Sequence, residues 1–520
     1  MPGQDIRYFE NPILPGFYPD PSICRAGEDY YLVTSSFAYF PGVPIFHSRD
    51  LVHWKQIGHV LDRPSQLDLD GAGHSQGIFA PTIRYHDGRF YMVTTNVTRG
   101  GNFIVTAEKP EGPWSDPYWL TDAPGIDPSL FFDDDGRCYL VATWEVPEGP
   151  SYNGDNEIWM RELDLDTMTL KGERYGLWRG AMKNAVWPEA PHIYKKDGYY
   201  YLMIAEGGTD FHHSVAIARS RNITGPYEGC RCNPILTHRH LGRNYPIVNA
   251  GHGDLVETQN GEWWMVLLAS RPYGGYYRNL GRETFLVPVI WENGWPVVSP
   301  GTGKVEFSYP CPDLPAWEVE TPAPVDHFDK DSLDPCWMFL RTPREEFYSL
   351  TERPGYLRLY VRPQKLTELA NPSLVCRRQQ HMSFMARTVL EFAPGPGEAA
   401  GMVLLQSDRY QYRMEYAHDG ERTVIRLVRC MGGVETVMNA VPWNLSRFEM
   451  RISAQGQDLS FSFGDGEAMH ELARNVDGRI LSTDVAGGFV GTTIGLFASG
   501  NGRQSKNKAD FDLFEYRPAL

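Results

Sequence analysis

One phrase recurs five times in the first three hundred residues: a polar or Pro-containing start, apolar residues, a turn, then an aromatic or apolar run. The copies begin at Asp20-Pro21-Ser22-Ile23, Ala80-Pro81-Thr82-Ile83, Asp127-Pro128-Ser129-Leu130, Glu189-Ala190-Pro191-His192 and His252-Gly253-Asp254-Leu255. Four carry Asp-Gly or Asn-Gly at the turn (Asp87-Gly88, Asp135-Gly136, Asp197-Gly198 and Asn260-Gly261) before runs such as Phe90-Tyr91-Met92-Val93 and Trp263-Trp264-Met265-Val266. Such dipeptides tolerate the positive φ of a tight turn, so each copy predicts a β-hairpin. The spacing leaves room for about four strands per copy, the size of a propeller blade. The expectation is an all-β chain opening with a five-bladed β-propeller.

Composition agrees: 51 Gly, 39 Pro and 13% aromatic residues favour many short strands and turns. At 520 residues the chain exceeds one hydrophobic core, so a second domain is expected. Prolines at 310, 312, 315, 322 and 324 mark a boundary without the repeat. Beyond it, Tyr356-Leu357-Arg358-Leu359-Tyr360 and Leu459-Ser460-Phe461-Ser462-Phe463 alternate with period two, as antiparallel sheets packed on one face do. The predicted division is a propeller at 1–305, a linker at 306–325 and a β-sandwich, a concanavalin-like jelly roll, at 326–520.

A formal charge of −16 without a basic run argues against a nucleic-acid partner. No stretch has the ~18 apolar residues of a membrane span, and Met1 to Glu10 lacks an apolar signal core; the expected location is cytoplasmic. The eight cysteines show no zinc-site spacing and read as free, mostly buried thiols. Asp133-Asp134-Asp135-Gly136 lacks the remaining ligands of a calcium loop, and no serine sits in a nucleophile elbow. The uncovered sandwich surface would support a homo-oligomer.

In a propeller the first strand of each blade starts beside the axis, so Asp20, Asp127 and Glu189 should meet in one funnel. Aligned on the Pro, Asp20, Ala80, Asp127 and Ala190 fall in register, and Glu189 and His252 stand one residue earlier. An isolated Asp-Pro is more often a turn than a catalytic group, but three acids at repeat starts suit glycoside hydrolysis. One carboxyl protonates the leaving oxygen and another activates water or attacks carbon. Crowding should raise one pKa; Glu189, between Pro188 and Ala190, is the candidate acid, Asp20 the base, and Asp127 the group that orients and tunes the acid. Phe37, Phe79 and Trp187 are candidate sugar platforms. His252 reads, on its own, as a buried hydrogen-bonded histidine or a ligand of axial water or metal.

These residues resemble glycoside hydrolase family 43, in particular its two-domain β-xylosidases and α-L-arabinofuranosidases. The marks are Phe17-Tyr18-Pro19-Asp20-Pro21-Ser22, Phe40-Pro41-Gly42-Val43-Pro44, Gly77-Ile78-Phe79-Ala80-Pro81, Glu189-Ala190-Pro191-His192, Ala205-Glu206-Gly207-Gly208-Thr209, Gly251-His252-Gly253 and Leu280-Gly281-Arg282-Glu283-Thr284. The resemblance implies an exo-acting, inverting hydrolase releasing pentose, xylose above all, from non-reducing ends of a neutral xylo-oligosaccharide. It gives Asp20, Asp127 and Glu189 the roles stated above. It implies that Arg282 reaches the pentose hydroxyls, that His252 lies near a divalent cation such as Ca2+ or a water, and that Gly487-Gly488-Phe489 closes the pocket; no organic cofactor is implied. The chain departs from the pattern at Phe79, often Trp, and in a sandwich loop one residue shorter after Phe489. Both positions bear on the choice of sugar, so α-L-arabinofuranosidase, or both activities in one site, stands as the alternative. A non-catalytic sugar-binding propeller is the reading from another class. A fructan hydrolase is disfavoured because Pro19, not Asn, precedes Asp20.

Overall fold

The computed structural model describes residues 6–519. Every repeat copy heads one sheet: Ser22–Ala26, Thr82–His86, Ile126–Phe132, Glu189–Lys196 and Val248–Glu257 are the first strands of five successive antiparallel sheets. Four sheets have four strands and that of Glu189–Lys196 has five. The first strands touch in cyclic order, and Ser22–Ala26 also meets Val248–Glu257, closing the ring. The N-terminal strand Tyr8–Glu10 pairs with Ser308–Pro310, so part of the segment read as linker belongs to a two-stranded clasp.

The turns divide by length. At Asp87-Gly88 and Asp197-Gly198 both residues have positive φ (47° and 79°, 49° and 75°), which is the two-residue hairpin the sequence predicts. Asp135-Gly136 and Asn260-Gly261 sit in longer loops, closed by Asp133 N–H donating to Arg137 O and Thr258 N–H to Glu262 O. There only the glycine has positive φ.

The second half forms a sandwich of two antiparallel sheets, one holding Ser373–Arg378, Ala399–Ser407 and Thr493–Ser499, the other Phe384–Glu391, Arg447–Gln455 and Lys508–Pro518. Along Phe384–Glu391 buried and half-buried residues alternate, as a sheet with one core face requires. The halves are fused rather than tethered. A single hydrophobic cluster runs from Phe17, Phe37 and Ile78 into Phe339, Leu374, Leu404 and Phe497. Tyr39–Phe40 pairs with Phe339–Leu340, and buried Arg378 donates to Phe17 O at 2.8 Å. The sandwich therefore stands at a fixed position beside the propeller axis. Among the described residues all eight cysteines are free, five of them buried, and no helix is long and apolar enough to cross a membrane.

Candidate active site

The start of four inner strands is kinked. Asp20, Asp127, Ala190 and His252 all have left-handed φ, from 48° to 55°. The last three lie in irregularities of strand register, between Ile126 and Ser129, Glu189 and His192, and Gly251 and Asp254. A bulge re-aims a side chain, and left-handed backbone is tolerated by Asp better than by most residues. This corrects one alignment. His252 occupies the same register position as Asp20 and Asp127 rather than the earlier one: it has the same left-handed φ, and Gly253 stands where Asp20, Asp127 and Ala190 are followed by Pro. Glu189 does stand one residue earlier, with Ala190 taking the left-handed conformation.

The three acids meet in a small pocket of about 90 Å³, lined also by Phe37, Phe79, Thr209, His252, Arg282 and Phe489. All the candidate site residues except Trp187 are thus brought together. Trp187 lies outside this lining, its indole held against Gly154 and Gly208 and partly exposed.

Asp20 is buried and engaged at both oxygens. Ser35 Oγ donates to Oδ2 at 2.5 Å and Arg282 Nη1 to Oδ1 at 2.7 Å, with His252 Nδ1 at 3.5 Å. Burial alone would raise this carboxyl, but Arg282, His252 and the Ser35 hydrogen bond hold it below the usual carboxylate value. Asp127 is pushed up to about 6 by burial, with the Asp20 charge adding to the rise and His252 opposing it. Its Oδ2 accepts the Ala190 N–H at 3.1 Å, which ties it to the backbone next to Glu189. Glu189 is raised well above its ordinary value by desolvation and by the negative charges of Asp127 and Asp20. The site therefore sets a carboxyl whose ionised form is favoured, Asp20, beside one whose protonated form is favoured, Glu189.

Arg282 is placed by a close crossing of loops. Gly281, at φ 70°, lies against Gly491, and a Cβ on Gly281 would come within 2.9 Å of Gly491 N. Only glycines allow this approach, which seats the Phe489 loop of the sandwich over Arg282. The Phe489 N–H donates to Ser75 Oγ at 2.8 Å and its carbonyl accepts from Arg282 Nη2 at 3.4 Å. The Phe489 ring stacks on Phe37 (6.2 Å) and meets Phe79 edge-on (5.9 Å), while the guanidinium lies 5.5 Å from its centroid. The three phenyl rings form an apolar wall facing the acids.

Two supports escape the sequence reading. Thr209 accepts from Arg282 Nη1 at 3.0 Å, and Ser35 fixes Asp20; both lie in quoted or adjacent motifs, but neither carries a signal of its own. Below the acids a buried network joins four blades. Asp254 accepts from Ser22 Oγ (2.7 Å), Ile23 N–H (3.1 Å), Arg84 Nη1 (2.8 Å) and Tyr194 OH (2.6 Å). A Ca2+ ion takes six to eight oxygen ligands. Beneath the acids the axis offers the His252 imidazole, and among the described residues no three His, Cys, Asp or Glu side chains gather to hold a metal. That donor set does not fit a cation caged by protein side chains.

A closed propeller with a depressed and a raised carboxyl lining one small pocket has the parts of a glycoside hydrolase. Residues 9–296 match the model of glycosyl hydrolases family 43, and residues 325–517 that of the beta xylosidase C-terminal concanavalin A-like domain. The chain belongs to glycosyl hydrolase family 43. It is 49% identical over 511 residues to a xylosidase/arabinosidase of Butyrivibrio fibrisolvens, covering 97% of this chain and 98% of that one. It is 40% identical to the non-reducing end alpha-L-arabinofuranosidase BoGH43B of Bacteroides ovatus, covering 98% and 95%. The crystal structure of a xylan beta-1,4-xylosidase from Bacillus halodurans superposes with a TM-score of 0.92 at 38% identity, over 98% of this chain and all of the other.

Proposed function

We propose that this glycoside hydrolase releases single xylose units from the non-reducing ends of xylo-oligosaccharides, with inversion. The observation that carries the reading is the pocket itself. At about 90 Å³ it is far smaller than the ~300–1,000 Å³ of ordinary ligand pockets, and one side is closed by Phe489. Such a pocket takes a chain end, not the middle of a chain.

The chemistry follows from the protonation states. Glu189 gives its proton to the glycosidic oxygen as the bond to the anomeric carbon breaks. Asp20 takes a proton from water as that water attacks the same carbon from the other face. With both oxygens engaged by Arg282 and Ser35, Asp20 is a poor nucleophile but well placed to hold water. Asp127 keeps Glu189 protonated and orients it through the Ala190 backbone.

A second activity at the same site, on α-L-arabinofuranosides, is favoured by Phe79. Its phenyl ring is smaller than an indole, which leaves room for a differently shaped sugar, and relatives carry both names. The test is hydrolysis of p-nitrophenyl β-D-xylopyranoside and p-nitrophenyl α-L-arabinofuranoside side by side, with Asp20→Ala as control. Cleavage lost in the control supports the reading, and proton NMR of the first-formed sugar anomer decides inversion. Failure on both substrates overturns it.

A further inference from the structure

Beside the catalytic pocket lies a second, larger cavity of about 700 Å³, between the propeller and the sandwich. The two share Thr209, Arg282 and Phe489 as a common wall. Nothing in the reaction described above uses it. Its lining has the character of a saccharide site. Tyr276 and Tyr277 offer rings, and the buried Ser270 Oγ and Arg282 Nε have no protein hydrogen-bond partner. Unpaired buried polar groups carry a desolvation cost, which a ligand hydroxyl or a water would relieve.

One charged group in this cavity has no ion-pair partner. Arg278 is paired with Asp484 at 2.8 Å and with Asp210 at 3.2 Å, and Arg282 with Asp20 at 2.7 Å. Arg243 also lines the cavity, and among the described residues it enters no ion pair. Its guanidinium instead lies 5.1 Å from the Phe211 centroid and 4.9 Å from that of Tyr276. Two aromatic faces hold it in place at little cost in side-chain freedom. In a chain of net charge −16, a cation without an ion-pair partner beside the catalytic pocket is a specific feature. A planar guanidinium held this way matches a carboxylate.

We propose that this cavity is a binding site for an acidic sugar unit, so that the enzyme favours xylo-oligosaccharides carrying a uronate next to the terminal xylose. The proposal rests on the activity proposed above and adds a substrate class to it. Neutral oligosaccharides fill the same cavity without engaging Arg243.

The test compares kcat/KM for three probes in wild type, Arg243→Gln and Arg243→Lys. The probes are p-nitrophenyl β-D-xylopyranoside, xylotriose, and xylotriose with one glucuronate on the residue adjoining the non-reducing end. Wild type should prefer the acidic oligosaccharide to xylotriose by about three- to fivefold at low salt, the size expected of one partly exposed ion pair, and the preference should fade in 0.5 M NaCl, to ~0.5 M ionic strength. Arg243→Gln should lose it and Arg243→Lys keep part of it, with the aryl xyloside rate unchanged in both. Equal rates on xylotriose and its glucuronate-bearing form in wild type, or a preference that survives in Arg243→Gln, overturn the proposal while leaving the hydrolase reading intact. Absence of aryl xyloside cleavage in wild type overturns both.

Discussion

Replacing Asp254 by Ala should destabilise the propeller more than any single change at the three acids of the pocket. The Asp254 carboxylate is fully buried and accepts from groups on three other blades: Ser22 Oγ and the Ile23 N–H, both Arg84 Nη atoms, and Tyr194 OH. Removing it strands a largely buried guanidinium, and breaking a buried ion pair from one side costs about 3–5 kcal/mol. For a domain of this size each kcal/mol moves Tm by about 2–4 °C, so the expected drop is roughly 6–20 °C. The sign with pH is fixed by the Asp254 carboxyl, which Arg84, His192 and its hydrogen bonds hold far below the ordinary value despite burial. A depressed carboxyl contributes stability above its unfolded pKa of ~3.9 and loses it as pH falls through the folded value. The gap between wild type and Asp254→Ala should therefore be constant from about pH 5 to 8 and narrow in acid. Calorimetric scans at matched protein concentration measure it. The double change Arg84→Met with Asp254→Leu should recover most of the loss, since no charge is left unpaired. A drop under about 2 °C in the single variant, or no recovery in the double, would refute the reasoning.

At the site itself, Glu189→Gln should lower kcat/KM on xylobiose by about 10²–10⁴-fold and much less on an activated aryl xyloside, whose leaving group scarcely needs a proton; equal losses would undo the acid assignment. Asp127→Asn removes a negative charge that favours the protonated form of Glu189. Glu189 acts protonated, so activity is present below its pKa and lost as pH rises through it. The basic limb of the pH–rate profile should accordingly move to lower pH in this variant, and a limb that stays or rises would count against the coupling. Phe489→Ala opens the wall made with Phe37 and Phe79; ring pairs of this kind contribute about 0.5–1.5 kcal/mol, so KM for the aryl xyloside should rise about 2–10-fold. An unchanged KM would mean that the loop does not close the pocket.

The architecture was legible because it is periodic. Each of the five starts heads a first strand, and the alternation of 357–360 and 459–463 marks the sandwich. The acids could be read for the same reason, since equivalent starts converge on one axis. The exceptions are local backbone events. His252 is hard to place from the sequence because Gly253 stands where the other blades have Pro, which leaves that repeat without its marker. The left-handed residue sets the position, and no letter of the sequence announces it. Arg84, Tyr194, Ser35 and Thr209 were illegible for another reason: each acts across a blade or a loop, on a partner that only the closed ring brings near. Arg282 and Phe489 came from resemblance, since their meeting depends on the crossing of Gly281 with Gly491.

The one-residue offset of Glu189 has a chemical consequence. Left-handed backbone at a non-glycine residue costs of order 1–3 kcal/mol, and four blades bear it at one position. At Asp20, Asp127 and His252 the strained residue carries the working side chain, but in the fourth blade it is Ala190. Successive side chains on a strand point to opposite sides, so an acid one residue earlier enters the pocket in a different direction from the base. Inversion requires that difference, because the proton and the water must reach the anomeric carbon from opposite faces. The offset also frees the Ala190 N–H to meet Asp127 at 3.1 Å, in the strand of the preceding blade. The bulge that offsets Glu189 from Asp20 thus also ties its strand to the Asp127 carboxylate, whose charge favours the protonated form of Glu189.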